Sequence, residues 1–101
     1  MSRDLRYLDT AMDDFADIAT YLAQESGARE TGDNFIIQLL YRCERLAALP
    51  GTIGTARSEL EFEFRSTPYQ NYIIYFRYTA HAVEVISVLH ASRDAEAHFH
   101  G

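Results

Sequence analysis

An α+β fold is predicted: a short N-terminal strand, an antiparallel helical hairpin packed on a small antiparallel β-sheet, and a short C-terminal helix. Two observations carry it. Apolar residues recur at helical spacing up to Pro50-Gly51, and beyond that point the apolar period changes from 3.6 to 2. A third observation bounds the answer: 101 residues, 48% of them hydrophobic, suffice for one domain, 1–101, with its own core.

The elements follow in order. Leu5 to Leu8 reads as an opening strand. In "DTAMDDFADIATYLAQESG", Ala11, Phe15, Ile18, Ala19 and Leu22 make the apolar face of a first helix. Asp9 or Thr10 is expected to cap it, and Asp13 and Asp14 sit early, where the helix dipole favours negative charge. Gly27 is the stop signal. A second helix runs roughly from Arg29 to Leu49, with Phe35, Ile36, Leu39, Leu40, Cys43, Leu46 and Ala47 as its stripe and Pro50-Gly51 as its end. Gly32 weakens its first turns and points to a later start. So few residues join the helices that they must form an antiparallel hairpin.

In "ELEFEFR", Leu60, Phe62 and Phe64 alternate with Glu59, Glu61, Glu63 and Arg65, the pattern of a strand with one wet face. "NYIIYFRY" is apolar on both faces, as a central strand should be. "AVEVISVLH" is a further strand, reached by a tight turn near Thr79 to His81, and "RDAEAHF" supplies a last helical turn.

Composition excludes several classes. There are 15 acidic side chains against 9 basic ones, all arginine, for a net charge of -6. A protein that grips a polyphosphate by counterion release carries the opposite surplus, so no direct sequence-specific nucleic-acid binding is expected. No apolar run approaches the roughly 20 residues of a membrane helix, and "MSRDLRYLDT" lacks the apolar core of a signal peptide. The lone Cys43 suits a reducing cytoplasm and reads as a small buried hydrophobe. His98 and His100 form an H-x-H tail too sparse for a metal site, so neither metal nor cofactor is expected.

Several pieces, in the right order, resemble the toxins of the RelE/ParE superfamily, most closely the ParE branch. "FRSTPYQNYIIYFRY" is similar to the family's strand pattern at Arg65, Pro68, Tyr72, Ile73, Ile74, Tyr75 and Arg77. "VEVISVLHASRD" resembles Val-Glu-Ile-x-Arg-Val-Leu-His-Gly-x-Arg-Asp at Val83, Glu84, Leu89, His90, Arg93 and Asp94. "DDFADIATYLAQES" and "RCERLAALPGTIG" look like the family's hairpin helices and the loop after them. Ser87 stands where many relatives have Arg, Ala91 where many have Gly, and Asp9 where many have Pro. The first two changes remove a positive charge and a flexible hinge beside His90.

The resemblance implies the toxin of a type II toxin–antitoxin module, neutralised by a cognate ParD-like antitoxin whose C-terminal segment wraps over the hairpin and the sheet. Relatives in the ParE branch poison DNA gyrase and block replication. The alternative is a RelE-type ribosome-dependent mRNA endoribonuclease, which needs a base, an acid and a cluster of cations. Its candidates here are Arg65, Arg77, His90, Arg93 and His98, with no lysine and no tyrosine after the last strand. A non-catalytic toxin is therefore expected.

For the antitoxin surface the expectation is Phe35, Ile36, Leu39 and Leu40 from the hairpin, with Arg65 and Arg77 receiving acidic groups. Arg65 can alternatively pair on its own strand face with Glu61 and Glu63. His90 and Arg93 mark a possible functional corner, whose plain reading is a His bonded to nearby backbone, with Arg93 and Asp94 bracing the last helix. Tyr69, Tyr72, Tyr75 and Tyr78, alternating between faces, are expected in the sheet core.

Overall fold

This computed structural model describes residues 3–100; residues 1–2 and 101 of the single-domain reading lie outside them. The order is β1 (Asp4–Tyr7), α1 (Asp9–Ser26), α2 (Arg29–Ala48), β2 (Thr55–Ala56), β3 (Arg65–Tyr69), β4 (Tyr72–Tyr78), β5 (Ala82–His90) and α3 (Ala95–His100). The strands form one five-stranded sheet ordered β1-β5-β4-β3-β2. All pairs are antiparallel except β1 with β5, which is parallel, from Asp4 beside Ala82 to Tyr7 beside Val85. The sheet is therefore mixed, not antiparallel as expected. A parallel pair needs a long crossover, and everything between β1 and β5 supplies one.

The two helices pair as predicted, but their ends differ. Leu8, not Asp9 or Thr10, stands at the N-cap of α1, and no side chain caps it. The Thr10 hydroxyl and the Asp14 carboxylate are engaged elsewhere. β1 stops at Tyr7, so β5 beyond Val85 has lost its parallel neighbour. The Thr10 hydroxyl donates to the Ile86 carbonyl. The Asp14 carboxylate accepts the Val88 N–H at 2.9 Å together with the hydroxyl of the buried Ser87. One face of α1 thus substitutes for the missing strand, and a sheet edge that would otherwise stay open is closed.

Gly27 ends α1 in the left-handed conformation (φ 72°), as predicted. α2 starts at Arg29, before Gly32, not after it. Gly32 is buried where the hairpin helices touch: a Cβ on it would lie 2.2 Å from the Ala19 carbonyl oxygen. Its missing side chain lets the helices approach, and this contact outweighs its poor helix propensity.

The largest departure concerns "ELEFEFR", which is not a strand. Residues 57–64 form a chain of turns, with Leu60 N–H donating to the Arg57 carbonyl (2.9 Å), Phe64 N–H to that of Glu61 (3.1 Å) and Arg57 N–H to that of Phe64 (2.7 Å). Glu63 adopts φ 69°, a conformation that costs a non-glycine residue roughly 1–2 kcal/mol. Leu60 and Phe64 turn inward and are buried, whereas Phe62 is 78% exposed. An alternating pattern needs neighbouring strands to enforce it, and here only β3, starting at Arg65, has them.

Two cores result, one on each face of the sheet. On the helix side, Phe15 and Ile18 of α1 and Leu39, Cys43 and Leu46 of α2 pack on Ile74, Phe76, Val83, Val85 and Val88. On the other side, Leu60, Phe64, Tyr75, Ile86 and Leu89 form a smaller cluster. Phe99 of α3 closes it, edge-on to Phe64 (5.3 Å) and Tyr75 (5.2 Å). That face is therefore covered, not wet. Tyr72 and Tyr78, an even number of residues apart on β4, lie with the helix-side core together with Tyr69, which pairs with Tyr72, and of these four only Tyr75 lies with the other. Cys43 is fully buried. Burial is the main cause pushing its thiol up to about 12, so it stays a neutral packing group. Among the described residues no helix is long and apolar enough to cross a membrane.

Candidate partner-binding surface

The hairpin leaves apolar surface uncovered. Ala16 and Ala19 of α1, facing Ile36 and Ile37 of α2, form an open groove of about 480 Å³ floored by Phe15. Small residues on α1 create the depth and branched ones on α2 the walls. Ile37 is 48% exposed. On the other side of α2, Phe35 and Leu22 face Tyr69 and Tyr72 across a hollow of about 410 Å³. The Phe35 ring packs on both tyrosines at 5.5 and 5.4 Å.

These contacts sort the expected hairpin residues. Phe35, Ile36 and Leu40 are partly buried on the rim of the core and keep accessible surface. Leu39 does not: it is fully buried beneath the hairpin and offers a partner nothing to touch. Its place in the stripe is a core place. Ile37, outside the predicted stripe, is exposed instead.

The arginines are also more committed than expected. Arg65 does not pair with Glu61 or Glu63, because those residues lie in the turns and not on its strand. Its guanidinium donates to the carbonyls of Ile53 (2.9 Å) and Gly54 (2.8 Å), pinning the loop after α2. Arg77 is held by Glu84 at 2.7 Å across the β4–β5 ladder. Each keeps a remaining guanidinium N–H for another acceptor.

The third feature is a cleft of about 600 Å³ between α1 and the end of β5. Asp17 and Tyr21 come from α1, Tyr72 from β4, and His90, Arg93 and His98 from the C-terminal corner. His90 is exposed and edge-on to Tyr72 at 5.3 Å. Its Nδ1 accepts the Ser92 N–H at 3.1 Å and sits 2.8 Å from the Ser92 hydroxyl. An acceptor Nδ1 places the proton of the neutral ring on Nε2. The Asp94 carboxylate accepts the Ala97 N–H at 3.2 Å and caps α3. Burial raises the Tyr72 hydroxyl above its ordinary value, with Tyr21 adding to the shift, so it stays protonated at neutral pH. The sequence signalled His90, Arg93 and His98. It did not signal Asp17 or Tyr21, which read as ordinary positions of an amphipathic helix. Among the described residues, no cluster of three or more His, Cys, Asp or Glu side chains has metal-binding geometry.

Of the five candidate residues of a ribonuclease reading, only His90, Arg93 and His98 share this cleft, and Asp14 and Asp17 line it with them. Arg65 and Arg77 belong to other contacts.

This α+β frame with a partly uncovered helical hairpin agrees with the type II toxin class that the sequence motifs resemble. Residues 5–95 match the family described as "ParE toxin of type II toxin-antitoxin system, parDE", and the chain belongs to that family. Its fold is similar to a solved structure of the chromosomal ParDE TA system from P. aeruginosa, with a TM-score of 0.76 over 88% of this chain and 96% of that chain. Sequence identity to it is 13%, so this likeness speaks for the fold alone. No curated protein matches the chain in sequence.

Proposed function

We propose that this ParE-family toxin acts in the cytoplasm by binding and poisoning DNA gyrase, without catalysis of its own, and that a cognate ParD-like antitoxin neutralises it. The uncovered hairpin carries this reading: the groove with exposed Ile37 and half-buried Ile36, and the hollow beside half-buried Phe35 on the other side of α2, fit the apolar face of an amphipathic antitoxin helix, with Leu40 half-buried on the same helix. Arg65 and Arg77, already anchored, receive antitoxin carboxylates with little further loss of side-chain entropy. The second reading, mRNA cleavage, is favoured by one observation, the convergence of His90, Arg93 and His98 on one cleft. The flanking acids and the absence of lysine weigh against a site for a crowded phosphate.

Expression without antitoxin is expected to arrest bacterial growth, with gyrase-dependent plasmid linearisation and intact messages on translating ribosomes. Codon-positioned mRNA cuts without DNA damage would transfer the protein to the ribonuclease reading, and normal growth at confirmed soluble expression would remove both.

The antitoxin surface is tested by titration. Phe35→Ala and Ile36→Ala should each weaken binding by about tenfold, as anchors in a desolvated groove do. Arg65→Ala or Arg77→Ala should cost a similar amount. Leu39→Ala should instead lower stability by about 2–5 kcal/mol through its cavity, leaving the affinity of the folded fraction unchanged. Because Arg77→Ala strands the half-buried Glu84, its melting curve is needed beside its affinity. Wild-type affinity in all four surface variants would place the antitoxin elsewhere.

A further inference from the structure

We infer that the 57–64 loop presents Phe62 as an anchor for the toxin's target, and that the pocket receiving it is apolar with a cationic rim. The inference rests on the toxin reading. Among the described residues Phe62 is the most exposed large apolar side chain, at 78% against 57% or less for the others. A solvated phenylalanine contributes little to folding, yet this loop is built to hold it outward. Leu60 and Phe64 are sunk into the second core on either side of it. The turn hydrogen bonds already described fix the backbone between them, and Glu61 accepts the Phe62 N–H at 3.3 Å. Arg57 staples the base, donating to Ser66 Oγ at 3.0 Å and to Glu59 at 3.3 Å. Glu63 is held at φ 69°, a conformation that a freely moving loop would relax. An aromatic ring on so constrained a tip gives up little entropy when it docks.

The charge around it specifies the receiver. Glu59 is neutralised by Arg57, but Glu61 and Glu63 take part in no ion pair among the described residues. An aromatic ring flanked by two carboxylates without a cationic partner is complementary to an apolar hollow rimmed by Lys or Arg. Arg77 and Glu84 share the loop's face of the sheet, but an antitoxin that brings carboxylates to Arg65 and Arg77 is repelled by Glu61 and Glu63. The anchor therefore belongs to the target and not to the antitoxin.

Purified gyrase and plasmid provide the first test. Phe62→Ala should need about tenfold or more protein for half-maximal linearisation, with melting temperature and antitoxin affinity unchanged. Phe62→Trp should stay close to wild type. Glu61→Gln with Glu63→Gln should weaken the effect more at low salt than at high salt. Full potency of Phe62→Ala, or a loss of antitoxin affinity in its place, overturns the inference. Growth arrest separates the two readings. If wild type arrests growth without touching gyrase and Phe62→Ala does not arrest it, the gyrase reading falls and the anchor stands. If Phe62→Ala still arrests growth, the anchor falls whatever the target. A wild-type chain that arrests nothing overturns both.

Discussion

Gly32→Ala should lower the melting temperature by roughly 10–20 °C, the equivalent of about 2–3 kcal/mol in a domain of this size. The sign is the informative part. At an unobstructed helical position the same change stabilises by about 0.4–1 kcal/mol, because alanine restricts the unfolded chain and favours the helix. Here the added methyl meets the Ala19 carbonyl oxygen at 2.2 Å, and the atom in its way is backbone, which cannot rotate aside. The helices must separate, and the packing of Phe15 and Ile18 against the α2 face loosens with them. Thr31→Ala, an exposed position one residue away, should be near neutral in the same melts. A Gly32→Ala protein as stable as wild type would mean that the helices are not in contact at this point.

Asp14→Ala should cost about 2–3 kcal/mol in urea unfolding, because it strands two donors at once. One is the Val88 N–H, an edge position of β5 without a strand beside it, and the other is the hydroxyl of the nearly inaccessible Ser87. Asp14→Asn keeps a carbonyl acceptor and should lose clearly less, on the order of 1 kcal/mol. The Val88 amide should exchange its proton faster in the alanine variant, since it then depends on water alone. A double-mutant cycle with Ser87→Ala isolates the contact, with an expected coupling of about 0.5 kcal/mol or more. Strict additivity would show that the two side chains do not act together.

The same contact shows why part of the molecule was legible in its sequence and part was not. The helices, Gly27 and the strands β4 and β5 were readable because each satisfies a local period or a local stop signal. Asp14 was readable only as a favourable charge early in a helix. Its real partners lie more than 70 residues away in sequence, and no window holds both. Ser87, conspicuous as a missing arginine, turns out to be a buried donor to α1. "ELEFEF" failed for a different reason. The spacing that puts Leu60 and Phe64 on one face of a strand also lets a chain of turns, with Glu63 left-handed, sink both. For the expected partner surface, the sequence named Phe35, Ile36 and Leu40, which keep accessible surface. Helix rotation decided the rest, burying Leu39 and exposing Ile37.

The parallel pairing of β1 with β5 has a temporal consequence. β5 lies between β1 and β4, so among the described strands the earliest in the chain finds its only sheet neighbour in the latest. Contacts so distant along the chain are slow to form, because the loop entropy is lost before any pairing compensates for it. During synthesis at about 5–20 residues per second, the hairpin leaves the ribosome several seconds before the strand it packs against. Through that interval α1 and α2 can pair with each other, but Phe15, Ile18 and Leu46 have no sheet beneath them. The native core, and with it the surface that any target meets, comes into being only once β5 has left the ribosome.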